Sequence, residues 1–208
     1  MLKMDKPYKI LFETVIGSHA WKMNTLDSDL DVFKCYISST RDILLGAIPK
    51  NYFESGDKID VQTGEIGRVV EGLIKNNFNY LIAVHSPIVR SDCGILNSLR
   101  TLSIMNLSKQ AYNSIHGLAT QNYRKYIEGN PNVSQKHCDT IARSLHFGIT
   151  LLREGKIVFA PSFGNTPETI KSLLDDLDKA KDESVLPNKA EHTKELEDFL
   201  VQIRIKNL

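Results

Sequence analysis

Apolar residues come in short runs through the first half of the chain and at helical intervals through the second. Tyr8–Ile16 is apolar with interspersed polar positions and predicts a strand, with a short buried helix as the alternative. Leu30–Ser39 predicts a second strand. Arg41–Ala47 predicts a short helix or a looped connection, closed by Pro49. After Lys58–Glu65, apolar residues recur at Ile66, Val69, Val70, Leu73 and Ile74, the spacing of a helix for which Thr63 is the candidate N-cap. Asn76–Tyr80 ends that helix. The apolar run Leu81–Val89 fits either a buried helix or a strand, and His85 within it reads as a core histidine with a hydrogen-bond partner.

From about Ile95 the pattern turns helical. Leu107–Glu128 carries Ala111, Ile115, Leu118, Ala119 and Tyr123 before Gly129-Asn130-Pro131 breaks it. Ser134 opens a helix through Arg153, ended by Gly155, with Ile141, Leu145, Gly148 and Leu152 on one face. Lys136 and Arg143, seven residues apart, share a face away from that stripe, together with Phe147. Lys156–Pro161 fits a short strand or a loop. Thr166-Pro167-Glu168 has the chemistry of a helix start, and Ile170, Leu173, Leu174 and Leu177 continue it as an intermittent stripe. After Leu186-Pro187, Lys189–Lys206 predicts a last helix with Leu196, Phe199, Leu200 and Ile203 inward and its charged residues solvated.

Composition narrows the class. The chain has 208 residues, 41% hydrophobic and 25% charged, with a net charge of +1. That suffices for one large or two small domains with an ordinary core. It provides no overall basic field, so nucleic-acid contact has to come from a local patch. Met1–Lys9 is charged and no apolar leader core follows, and no apolar stretch approaches bilayer length. The expectation is a cytoplasmic protein with no membrane partner. Cys35, Cys93 and Cys138 are odd in number and far apart, which argues for reduced thiols. His137-Cys138 are neighbours whose side chains diverge on a helix, a poor start for a zinc site.

The chemistry concentrates between Ile16 and Val32. Gly17-Ser18 is a small-residue corner after an apolar run, where a backbone can approach phosphate. Eleven residues after Ser18 comes Asp29-Leu30-Asp31. In an extended strand residues two apart share a face, so Asp29 and Asp31 project together. Two adjacent carboxylates repel, and a hard divalent cation removes the repulsion. A phosphate corner beside a metal pair describes a metal–nucleotide site. Within it, His19 reads either as a phosphate contact or as a loop-bracing hydrogen bond. Trp21 reads as packing and Asp27 as a turn cap.

Gly17-Ser18-His19-Ala20-Trp21 followed by Ser28-Asp29-Leu30-Asp31 resembles the signature of the DNA polymerase β-type nucleotidyltransferase superfamily, in its branch of small bacterial, archaeal and phage predicted nucleotidyltransferases. The resemblance continues at Asp60-Val61, Tyr112–Ala119, the Arg143–Gly155 helix and Leu186-Pro187, and so covers most of the chain. One departure is Lys22, which stands where that branch has a second glycine.

The resemblance implies an α/β (α+β) fold: a small mixed sheet flanked by helices, then a helical C-terminal half, divided as a catalytic core over 1–106 and a helical domain over 107–208. It implies transfer of a nucleoside monophosphate from an NTP, ATP among the candidates, to an acceptor hydroxyl, with Mg²⁺ (or Mn²⁺) as cofactor. Asp29, Asp31 and Asp60 would be the catalytic metal ligands, with Glu65 the second choice for the third carboxylate. Gly17, Ser18, His19, Lys22 and Arg143 would bind the nucleotide. Lys136 is a further cation on the Arg143 face, and Arg124 and Lys125 are others. The acceptor (RNA, protein or a small molecule) and the oligomeric state stay open. So does an alternative without turnover, a nucleotide-binding regulatory protein on the same frame.

Overall fold

The computed structural model describes residues 8–47 and 52–207. Pro49, expected to close the connection after Arg41–Ala47, lies outside the described residues. Five strands form one mixed sheet: β1 (Lys9–Val15), β2 (Leu30–Ile37), β3 (Tyr52–Ser55), β4 (Ile59–Glu65) and β5 (Val89–Asp92), in the spatial order β3-β4-β2-β1-β5. β2 pairs antiparallel with β1 and parallel with β4, while β3 and β5 add antiparallel edges. The two longest N-terminal runs were legible as strands. β3 and β5, four residues each, carry no alternation, because their residues are mostly exposed.

Around the sheet lie α1 (Gly17–Ala20), α2 (Thr40–Leu44), α3 (Ile66–Ile74) and α4 (Phe78–His85). The helical half contains α5 (Leu96–Met105), α6 (Ala111–Tyr126), α7 (Gln135–Glu154), α8 (Pro167–Asp182) and α9 (Thr193–Lys206). The expected α/β architecture with a helical C-terminal half is the one observed. The ambiguous run at Leu81–Val89 splits: its first part completes α4, capped by the Asn77 side chain on the Asn79 amide, and Val89 begins β5. His85 donates its Nε2 proton to Ser103 Oγ at 2.7 Å, because that hydroxyl already donates to the Arg100 carbonyl. Lys156–Pro161 forms no regular element.

The cap of α3 differs from expectation. Thr63 lies inside β4, its hydroxyl bonded to the Tyr52 backbone, and Glu65 is the N-cap, accepting from the Gly67 amide at 2.6 Å. The strand runs two residues further than its turn-forming composition suggests, because the parallel ladder to β2 continues to Tyr36↔Glu65.

One hydrophobic core runs through both halves of the chain. Its connection to the motif loop is aromatic. Phe147 of α7 stands edge-on to Phe78 of α4, with ring centroids 5.2 Å apart, and to Trp21, at 5.8 Å. Phe159, from the segment after α7, covers Trp21 at 4.7 Å. Trp21 is therefore buried, as its reading as packing required. Such aromatic pairs add about 0.5–1.5 kcal/mol each beyond the area they bury. Their consequence is placement: with Phe147 seated on Trp21, Arg143 one turn earlier on α7 lies over the same indole, 5.5 Å from its centroid.

Candidate active site

The register of β2 against β4 places the acids. Asp31 pairs with Asp60 across the parallel ladder, Val32 with Val61, and so on to the end of β4. Directly paired residues on neighbouring strands present their side chains to the same face about 5 Å apart. Asp29 stands at the mouth of β2, two residues before Asp31, where the Leu30 amide is held by the Lys58 carbonyl at 2.9 Å. The three acids line one cleft of about 800 Å³ together with Gly17 and Ser18.

Gly17 closes the other side. Its φ of +63° is left-handed, and a β-carbon there would sit 1.8 Å from Asp31 Oδ2. Only glycine fits both constraints. Lys22 also has a left-handed backbone, φ +56°, at the position where the resembled branch has glycine. The turn keeps that conformation with a non-glycine residue, its amide bonded to the His19 carbonyl at 3.1 Å, while Met23 bonds back to Ser18 at 2.9 Å. The Lys22 side chain is exposed and is not part of the cleft lining. His19 also lies outside the lining. Its Nδ1 is buried without a hydrogen-bond partner, and its charge when protonated bears on Asp31.

Burial and then the neighbouring Asp60 carboxylate raise the pKa of Asp31 above the usual range; Arg143 and His19 oppose that shift and Asp29 adds to it. Arg143 is correspondingly pulled down by burial, with Asp31 acting the other way. No residue among those described forms an ion pair with Arg143 at contact distance. It is a half-buried guanidinium held on an indole, facing carboxylates across open space. A guanidinium so placed matches phosphate oxygens.

The donor set, three carboxylates and no thiolate, is of the kind hard divalent cations take. Register brings Asp31 and Asp60 side by side, and the under-compensated charge of Asp31 is what a cation would relieve. The fit is incomplete in one respect: among the described residues no three His, Cys, Asp or Glu side chains converge on one point. Asp60 accepts from Ser55 Oγ of β3 at 2.6 Å, so one of its oxygens is already engaged.

Glu65 does not line the cleft. It lies five residues along β4, roughly 16 Å from Asp60 at 3.3 Å per residue. There it is buried, caps α3 and pairs with Arg204 of α9 at 3.0 Å. Lys136, like Arg143, lines the cleft, whereas Arg124 and Lys125 face a separate groove on α6. Sequence reasoning missed Asn122, Tyr126, His137, Asp139, Thr140 and Phe163, which also line it. Asp139 and Thr140 fall between Lys136 and Arg143 at helical spacing and were legible from the face already identified. Phe163, on an irregular segment, had no periodic signal.

A five-stranded mixed sheet with two acids in register on its parallel pair, a third at the strand mouth and a Gly-Ser corner against them defines a nucleotidyltransferase fold of the DNA polymerase β type. The chain belongs to the RNA repair pathway DNA polymerase beta family, whose model matches residues 2–204. A comparison with curated proteins finds no match. Among solved structures it is similar to a nucleotidyltransferase-like protein from Exiguobacterium sibiricum, at 11% identity over 85% of this chain and 69% of that one, with a TM-score of 0.32. Family membership rests on the sequence match. No helix among the described residues is long and apolar enough to cross a membrane.

Proposed function

We propose that the protein transfers a nucleoside monophosphate from an NTP to an acceptor hydroxyl, releasing pyrophosphate, with Mg²⁺ or Mn²⁺ as cofactor. The observation that carries this reading is the Asp31↔Asp60 register beside Gly17 and across the cleft from Arg143. When bound, the cations supply Lewis-acid charge to the phosphoryl group and make the acceptor hydroxyl easier to deprotonate. Asp29 and Asp31 would hold one cation, and Asp60 would help hold a second. Asp60 would also accept the acceptor's proton. The Gly17 and Ser18 amides and the Ser18 hydroxyl seat the outer phosphates. Arg143 offsets charge on the departing pyrophosphate, an electrostatic role in a reaction governed by positioning. The family is described as an RNA repair pathway family, which supports an RNA terminus as the acceptor we favour.

Nucleotide binding without turnover is the second reading, and the Asp60–Ser55 hydrogen bond favours it. Two measurements decide. Thermal unfolding with each NTP, with and without Mg²⁺, compares wild type with the double variant Asp29→Ala/Asp31→Ala. Ligand at a hundred times Kd adds about 2.7 kcal/mol, on the order of 5–10 °C for a chain of this size. A Mg²⁺-dependent shift lost in the variant supports the site, and no shift with any NTP overturns it. Transfer of labelled nucleoside monophosphate to RNA by wild type, abolished in Asp60→Asn while the thermal shift persists, separates catalysis from binding.

A further inference from the structure

The segment between α7 and α8 crosses the rim of the cleft without regular structure, yet it is held firmly. Asp139, buried on α7, accepts at one oxygen from the Asn165 amide at 3.0 Å, the Asn165 side chain at 2.8 Å and the Gln135 side chain at 3.0 Å. Gln135 also donates to the Asn165 carbonyl at 2.8 Å, and Asn165 to Ser162 Oγ at 3.0 Å. Ser162 and Asn165 are both buried. Between these anchors project Phe163 and Gly164, the glycine with a left-handed φ of +72°. Phe163 is 65% exposed and lines the cleft that holds Asp29, Asp31 and Asp60.

Exposure of an apolar residue is common and by itself means nothing. Several others here are as exposed, Leu26 and Leu44 among them. Phe163 differs in two respects. It is the one large apolar side chain so exposed that also lines the acid cleft, among the described residues. Its flanks are pinned by a buried carboxylate whose oxygen takes three donors, so the ring is presented in a set position rather than on a loose loop. The chain has no packing reason to raise a phenyl ring from so well-tied a segment, and among the described residues the ring has no aromatic partner.

We infer that Phe163 is a stacking platform for a nucleobase, with Asp139 the positioning residue that holds its segment against α7. This rests on the proposed function and adds where a base lies: at the α7–α8 rim, with the phosphates at the Gly17 corner. A phenyl face accepts any base, so the platform contributes affinity with little sequence preference. The base belongs either to the incoming NTP or to the acceptor's terminal nucleotide. The chemistry is the same in both cases.

The test compares wild type, Phe163→Ala and Phe163→Trp in binding three Mg²⁺-loaded probes: ATP, inorganic tripolyphosphate, and a short single-stranded RNA ending in a 3′-hydroxyl. Phe163→Ala weakens ATP binding about tenfold if the base is the nucleotide's, or RNA binding about tenfold if it is the acceptor's. In both cases tripolyphosphate binding is unchanged, and Phe163→Trp restores the lost affinity. Equal affinity of wild type and Phe163→Ala for both ATP and RNA overturns the inference while leaving the proposed function standing. So does an equal loss for tripolyphosphate, or a failure of Trp to restore binding. If wild type binds neither ATP nor tripolyphosphate, the proposed function fails and this inference with it. Phe163 is exposed, and an unchanged unfolding temperature of the alanine variant confirms that the comparison is between folded proteins.

Discussion

Replacing Gly17 by alanine tests the contact on which the site's geometry depends. Two costs add. A non-glycine residue at φ +63° carries a left-handed penalty of about 1–2 kcal/mol. The new β-carbon also meets Asp31 Oδ2 at 1.8 Å, Cγ at 2.5 Å and Cβ at 2.9 Å. Rotation of the carboxylate clears the first two contacts. The third involves the Asp31 β-carbon, which rotation leaves in place, so the strand or the corner must also shift by a few tenths of an ångström. We expect a total of about 2–4 kcal/mol, within the range of overpacking costs. In an Asp31→Gly background the carboxylate and its β-carbon are both gone and only the left-handed penalty remains, about 1–2 kcal/mol. The difference is a coupling of about 1–2 kcal/mol, well above the error of a double-mutant cycle. Urea unfolding of the four proteins, in chelator so that no cation contributes, measures it. Equal cost of Gly17→Ala in both backgrounds would refute the claim that the glycine corner and Asp31 are in contact.

Other consequences follow from single groups. His85 is held neutral by burial, its pKa lowered to about 4 from 6.5, with Arg100 contributing. Its folded value is depressed, so the stability it contributes is present above about pH 6.5 and is lost as pH falls towards 4. The loss is about 2–4 kcal/mol. Unfolding free energies measured across that window for wild type and His85→Gln should converge at the acid end, and parallel curves would contradict the assignment. Arg204→Met strands the buried Glu65 with, among the described residues, the Gly67 and Ser38 amides as its remaining donors. It should destabilise by about 3 kcal/mol, with Glu65→Gln restoring part of the loss; an unfolding temperature within 2 °C of wild type would speak against the pair. Arg143→Lys keeps the charge but loses the fork and the indole contact. NTP affinity should fall roughly tenfold with little change in stability, and unchanged affinity would remove Arg143 from the site.

The amino-acid sequence by itself determined the candidate site residues and the main elements. Asp29 and Asp31 two apart, a Gly-Ser corner before them and a cationic face on α7 are local patterns, and periodicity reports local patterns well. It also determined some helix boundaries, because Thr166 and Gly155 act on their own neighbours. What only the tertiary structure decided are the relations between segments distant along the chain. Asp60 and Glu65 are both acids near the start of one helix. The β2–β4 register puts the first beside Asp31 and carries the second to the far end of the strand, into the grip of Arg204. No local pattern encodes that choice, since it depends on which residues pair across a parallel ladder whose partners are 29 positions apart. The same holds for Phe163. Its place at the cleft is set by Asp139, 24 residues earlier on another element, and a hydrogen bond between two such segments leaves no periodic trace in either.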